Sequence, residues 1–171
     1  MEITIREGAL AMETSLLELY LAVAEDPNGI IRKKEEVNRE YITDFLSKST
    51  QHGLLLVAIH DNQVVGEIHA YTPPIFAFRH ILTDLTIVVH PNYQGQKIGR
   101  QLFERFLQKV QADYTHILRV ELYVREHNTR NVQFYESLGF SNEGRQEKKI
   151  FKSSSEFETP LHMVWFNPAF R

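Results

Sequence analysis

At 171 residues, with 43% of them hydrophobic and no long polar or Gly/Ser tract, the chain is sized for one continuous core, and residues 1–171 are expected to fold as a single domain. A formal net charge of −3, with Lys and Arg interspersed among Asp and Glu, leaves no electrostatic footprint for nucleic acid. The absence of cysteine excludes disulfides, thiolate-bound metals and a cysteine nucleophile, and it is compatible with a reducing compartment.

The opening residues Met1-Glu2-Ile3-Thr4-Ile5-Arg6-Glu7 alternate charged and apolar side chains, which predicts a strand and not a signal peptide; a cytoplasmic location is expected. Leu16, Leu17, Leu19, Tyr20 and Val23 recur at helical spacing, with Thr14 or Ser15 as cap and Pro27-Asn28-Gly29 as terminator. A second helical stripe carries Val37, Tyr41, Ile42, Phe45 and Leu46 and stops near His52-Gly53. Residues 54–59 and 63–70 predict an antiparallel hairpin turning at Asp61-Asn62. The apolar run 54–59 is far short of the roughly 20 residues that cross a bilayer, so no membrane partner is expected. A third strand, residues 85–89, ends at His90-Pro91. Ile98, Leu102, Phe103, Phe106, Leu107 and Val110 then form one stripe of a helix over residues 98–113. Residues 117–124 predict a strand, 128–138 a helix closing on Gly139, 140–151 a strand and 161–166 the last strand. The order β-α-α-β-β-β-α-β-α-β-β needs both parallel and antiparallel pairing, hence an α/β fold with one mixed sheet covered by helices.

The segment Leu85-Thr86-Ile87-Val88-Val89-His90-Pro91-Asn92-Tyr93-Gln94-Gly95-Gln96-Lys97-Ile98-Gly99-Arg100 passes from a buried strand through a glycine loop into a helix. Unpaired amides and partial positive charge at a helix N-terminus favour phosphate, and glycine allows close approach. Spacing alone fits an ordinary loop equally well. Neither G-x-G-x-x-G nor G-x-x-x-x-G-K-[ST] is present.

Gln94-Gly95-Gln96-Lys97-Ile98-Gly99 resembles the [Q/R]-x-x-G-x-[G/A] loop of the GNAT N-acetyltransferases, matching at Gln94 and Gly99, with Lys97 where the family has glycine. Residues 128–140 resemble the family's second block, N-x-x-A-x-x-[F/L]-Y-x-x-x-G-F, departing from it at Asn131, where alanine is usual. The resemblance is motif-specific from about Leu85 to Phe140 and implies a GNAT-like acyl-CoA N-acyltransferase fold. It further implies acetyl-CoA as co-substrate and an amine acceptor, small molecule or protein. Carried onto this chain, it implies that the main chain of Ile87, Val88 and Val89 pairs with the pantetheine arm. The amides of Gln94, Gly95, Gln96, Lys97, Ile98, Gly99 and Arg100 would hold the pyrophosphate. Asn128 would contact the cofactor, and the Tyr135 hydroxyl would face the thioester sulfur. By helical spacing alone Tyr135 also fits core packing, on one stripe with Val132 and Leu138.

The attacking amine must be neutral, and a lysine-type amine of pKa about 10.4 is neutral in less than about one part in a thousand at pH 7. Candidate bases are Glu121, whose face Tyr123 and Arg125 share by strand alternation, Asp84 at the start of the strand before the loop, and Glu67 in the hairpin. Tyr135 can protonate or hydrogen-bond the departing thiolate, in direct transfer without an acyl-enzyme. The eight histidines are scattered without metal-ligand spacing, so no metal is expected, and no G-x-S-x-G elbow occurs. The charged stretch 148–156 predicts a hairpin rim over the substrate opening, and the last hairpin offers a surface for a homodimer. An acyl-CoA-binding sensor of the same fold, without turnover, is the alternative.

Overall fold

The structure is a computed structural model that describes Met1 to Arg171. Its elements are β1 (Thr4–Glu7), α1 (Glu13–Val23), α2 (Arg39–His52), β2 (Gly53–His60), β3 (Gln63–Tyr71), β4 (Ile81–Val89), α3 (Ile98–Asp113), β5 (Arg119–Arg125), α4 (Thr129–Ser137), β6 (Ser141–Arg145), β7 (Ile150–Ser153), β8 (Glu156–Glu158) and β9 (Pro160–Phe166). Seven strands form one sheet in the order β1-β2-β3-β4-β5-β9-β6, and β7 with β8 form a separate hairpin. Only β4 and β5 run parallel, because α3 carries the chain across between them. The expected mixed sheet is thus present.

Strand β2 is a continuous apolar run because both of its faces are buried. Leu54, Leu56 and Ala58 join Ile98, Leu102, Phe103, Phe106 and Val110 of α3 in one core. Leu55 and Val57 join Leu16, Leu19 and Tyr20 of α1 and Ile42, Phe45 and Leu46 of α2 in another. The predicted turn is confirmed: Asp61 and Asn62, with φ of 46° and 63°, take the two left-handed positions that a tight hairpin needs. At the start of α2, the Asn38 side chain accepts from the Tyr41 amide at 3.0 Å.

Four expectations are corrected. Helix α1 begins at Glu13 out of a short 3-10 turn without a side-chain cap, so neither Thr14 nor Ser15 caps it. Strand β4 begins at Ile81, not Leu85, which puts Asp84 inside the strand. Strand β5 begins at Arg119, not Ile117; the Leu118 amide before it donates to the His80 carbonyl at 2.8 Å. The single strand 140–151 is two strands broken at a turn where Lys148 has φ of 54°, and β8 supplies a further short strand. No helix is long and apolar enough to cross a membrane.

Gly66 sets how closely α3 approaches the sheet: a Cβ there would lie 2.9 Å from Leu102 Cδ1 and 3.3 Å from Ile98 Cγ2. Gly66→Val is expected to overpack this contact and cost about 1–3 kcal/mol. Urea unfolding checks it, with a lower midpoint at an unchanged slope.

Candidate active site

Pairing between β4 and β5 covers only Ile81 with Arg119 and Leu82 with Val120. Between the pairs Tyr71–Thr83 and His69–Thr86, β4 holds one residue more than β3, and Asp84 in that interval has φ of 51°. Such a bulge bends the strand and ends its pairing. The narrow end of the resulting wedge is pinned at Glu121, whose carboxylate accepts from the Thr83 hydroxyl at 3.0 Å and from Arg119 Nε at 2.7 Å. Glu121 is therefore committed to that junction, while Tyr123 and Arg125 on its face of β5 line a cavity of about 480 Å³ at the wide end.

The open edge of β4 alternates in what it offers. The His90 amide donates to the Val65 carbonyl at 2.9 Å, in register with the pairs Gly66–Val89, Glu67–Val88 and Ile68–Ile87. In an antiparallel ladder every second residue turns its main-chain groups to the partner, so those of Val88 go to β3 and those of Ile87 and Val89 face the wedge. Val88 thus differs from the expectation that all three offer backbone groups to a ligand. The Val89 carbonyl accepts from Gln94 Nε2 at 3.3 Å.

Beyond Val89, the residues Pro91–Tyr93 make a 3-10 turn, and the Gln94 amide closes it on the Pro91 carbonyl at 3.4 Å. Gly95 and Lys97 follow with φ of 77° and 63°, and α3 starts at once. The first helical bond is from the Gln101 amide to the Lys97 carbonyl at 3.1 Å, so the amides of Gly95, Gln96, Lys97, Ile98, Gly99 and Arg100 have no acceptor within the chain. Consecutive free amides at a helix start form a concave anion site, without the Gln94 amide. Lys97 occupies the left-handed position before the helix, which explains why the family pattern carries glycine there. A non-glycine residue costs roughly 1–2 kcal/mol in this conformation, and lysine brings a positive charge to the same loop.

On the other side of the wedge, Asn128 caps α4 by accepting from the Asn131 amide at 3.1 Å, and both residues line the cavity. Tyr135 also lines it, with ring centroids 5.6 Å from Phe103, 5.5 Å from Phe134 and 6.1 Å from Phe140. Burial in this aromatic cluster pushes the Tyr135 phenol up to about 12.

The remaining wall comes from the α1/α2 face of the sheet and includes Arg32, Tyr41, Asp44, Phe45, His69, Tyr71, Asp84 and Thr86. Asp84 accepts a hydrogen bond from the Tyr71 hydroxyl; burial first, and then that bond, holds the Tyr71 phenol well above its usual range. Glu67 is wholly buried behind the wall, bonded to Tyr20 and His69. Of the three carboxylates considered from sequence, only Asp84 lines the cavity. His69, Tyr71 and Tyr41 lie in no sequence motif, and only the fold brings them to the cavity. The one local signal was the polar pair Glu67 and His69, two residues apart on one face of an otherwise apolar strand. No cluster of three or more His, Cys, Asp or Glu side chains is arranged to hold a metal ion.

The structure thus sets an open strand edge, a helix start with free amides and a buried tyrosine around one wedge. The acetyltransferase (GNAT) domain profile matches residues 51–142, more than half of the chain, and the chain belongs to the GNAT acetyltransferase family. Among solved structures, it resembles a GNAT-family acetyltransferase from Streptococcus pneumoniae at 24% identity, with 97% of this chain and 99% of that one covered and a TM-score of 0.76. A ribosomal-protein-alanine N-acetyltransferase from Brucella melitensis superposes with a TM-score of 0.80 at 23% identity, over 95% of this chain and 99% of that one. The yncA protein of Salmonella typhimurium, solved with its cofactor acetyl-CoA, gives 0.82 at 18% identity, over 97% of this chain and 94% of that one. No curated protein sequence matches the chain.

The left-handed loop residue makes a direct prediction. Lys97→Gly should leave stability unchanged or raise it by up to about 1 kcal/mol, whereas the β-branched Lys97→Val should lower it by about 1–2 kcal/mol. Chemical denaturation of the two variants beside the native chain measures the difference.

Proposed function

We propose that this chain transfers the acetyl group of acetyl-CoA to a primary amine, carried by a small molecule or a protein, by direct attack on the thioester. The observation that carries the reading is the alignment of three features along one wedge: the free edge of β4, the free amides from Gly95 to Arg100, and Tyr135 on the facing helix. In this reading the pantetheine arm adds to the sheet as a strand through Ile87 and Val89. The pyrophosphate sits on the amide cluster with Lys97 beside it, and the side-chain amide of Asn128 reaches the arm from α4. The thioester then lies between Tyr135 and the wall that carries Asp84.

Tyr135 remains a neutral donor across the physiological range because its phenol is raised to about 12. Full proton transfer from such a phenol to a thiolate of ordinary pKa, about 8.5, is uphill by roughly 5 kcal/mol. Tyr135 therefore acts by hydrogen-bonding the sulfur as negative charge develops, not by ionising. Asp84 draws the ammonium form of the acceptor into the cavity, and Glu121 keeps the closed end of the wedge in register.

Two measurements test these roles. A thiol-release assay against an alanine-led tripeptide, Nα-acetyl-lysine amide and spermidine is expected to show turnover of at least one amine. With that amine, Tyr135→Phe should lower kcat about 100-fold while leaving acetyl-CoA affinity in place, since the ring still packs and only the donor is lost. An unchanged kcat would assign Tyr135 to packing alone. Asp84→Asn should raise the KM for the amine about tenfold through loss of one close charge, and an unchanged KM would remove Asp84 from acceptor binding.

A further inference from the structure

Glu67 and His69 form a buried acid–imidazole pair on the acceptor wall that the reaction as described leaves without a role. Glu67 is 0% exposed, and His69 is 3% exposed. A lone carboxylate in that position would carry a large desolvation cost, so its partners define its state. The Tyr20 hydroxyl donates to Oε2 at 2.6 Å, and His69 Nδ1 lies 2.9 Å from Oε1. No lysine or arginine pairs with it; His69 is its one ionic partner.

A carboxylate can only accept, so Nδ1 carries the hydrogen and the lone pair of the neutral ring is left on Nε2. That nitrogen has no hydrogen-bond partner in the chain and is not among the buried polar atoms closed off from contact, while the residue lines the cavity. The ring plane is held by Phe45, stacked on it at 4.2 Å with an interplanar angle of 1°. Strand, carboxylate and stack together orient one basic nitrogen toward the acceptor space.

We infer that His69, with Glu67 and Tyr20 as positioning residues, is the proton acceptor for the incoming amine, an inference that rests on the amine-acetylation reading above. The ammonium nitrogen gives one proton to His69 Nε2, and the neutral nitrogen attacks the thioester carbonyl. The C–N bond forms, the C–S bond breaks with its electron pair going to sulfur, and the second nitrogen proton passes to the departing sulfur, whose developing charge the Tyr135 hydroxyl hydrogen-bonds. The products are the amide, the free thiol of CoA and a proton on His69 that passes to solvent. Imidazole suits this task because it is the side chain that ordinarily changes charge near neutral pH. The ionisable groups around it are Glu67 and Tyr71 on its own strand, Tyr20 on α1, Arg32 on the segment between α1 and α2, Tyr41 and Asp44 on α2, Asp84 on β4, and Tyr123 and Arg125 on β5. Arg125 is already paired with Glu158 at 3.1 Å.

The test uses the full chain, acetyl-CoA and the three amines named above. With the amine that is acetylated fastest, His69→Asn should lower kcat about 100-fold and remove the acidic limb of the kcat–pH profile, with KM for acetyl-CoA within about twofold. Glu67→Gln, nearly isosteric, should lower kcat by at least about tenfold and move that limb, because an amide no longer fixes the ring tautomer. Both positions are buried, so long-range proton–nitrogen spectra of the native imidazoles provide a readout that needs no variant. His69 should appear protonated on Nδ1 at high pH and titrate with the midpoint of the acidic limb. Folded variants that keep kcat within about threefold and the native limb would overturn the inference, as would an Nε2-protonated ring. A native chain that binds acetyl-CoA but acetylates none of the amines would bring down the amine-acetylation reading itself, an outcome distinct from native turnover matched by the variants.

Discussion

Asp84, in a left-handed conformation at φ of 51°, is where β4 exceeds β3 by one residue, and that insertion shapes the whole site. Without it, β4 and β5 would continue the parallel ladder begun at Ile81 and Leu82, and the main-chain groups of Ile87 and Val89 would be spent on β5. With it, the strands part, the sheet carries an unpaired edge in its middle, and a cavity opens onto both faces. Thr83 and Arg119 close the apex on Glu121, so the opening has a fixed starting point.

Strain is concentrated accordingly. Of the non-glycine residues with positive φ, Asp61 and Asn62 make the hairpin turn and Lys148 the turn before β7, while Asp84 and Lys97 bracket the working half of β4. Residues held in such conformations cost about 1–3 kcal/mol each and persist where the surroundings fix them. The face packed on α3 carries the loop of free amides, and the face packed on α1 and α2 carries the opposite wall of the cavity.

Much of this was legible in the sequence, for physical reasons that also mark where reading stopped. The stripe from Ile98 to Val110 is periodic because one side of α3 is buried, and the Gly95-to-Gly99 loop follows because the chain must turn sharply into that helix. The start of β4 was hidden by Thr83 and Asp84, polar residues that sit in the strand only because a bulge accommodates them. Val88 could not be separated from Ile87 and Val89, since which residue faces which neighbour depends on a register set by the distant strand β3. Glu121 looked as available as Asp84 until the fold placed Arg119 beside its carboxylate. Likewise, nothing near Glu67 in the chain announces Tyr20, which comes from 47 positions earlier in the sequence. Local pattern revealed the elements and the loop; long-range pairing decided which polar groups are free to act.

The central claim is that the wedge between β4 and β5 takes acetyl-CoA with its pyrophosphate on the start of α3. Calorimetric titration of acetyl-CoA into the native chain and into Gly99→Glu tests it most directly. A Cβ at this position meets only Val89 Cγ2 at 3.7 Å and Ile87 Cδ1 at 4.0 Å, so the substitution adds negative charge without forcing the backbone apart. Saturable binding by the native chain, lost in a variant that unfolds at a native-like temperature, is the predicted result. Undiminished binding by the folded variant, or none by the native chain, would contradict it.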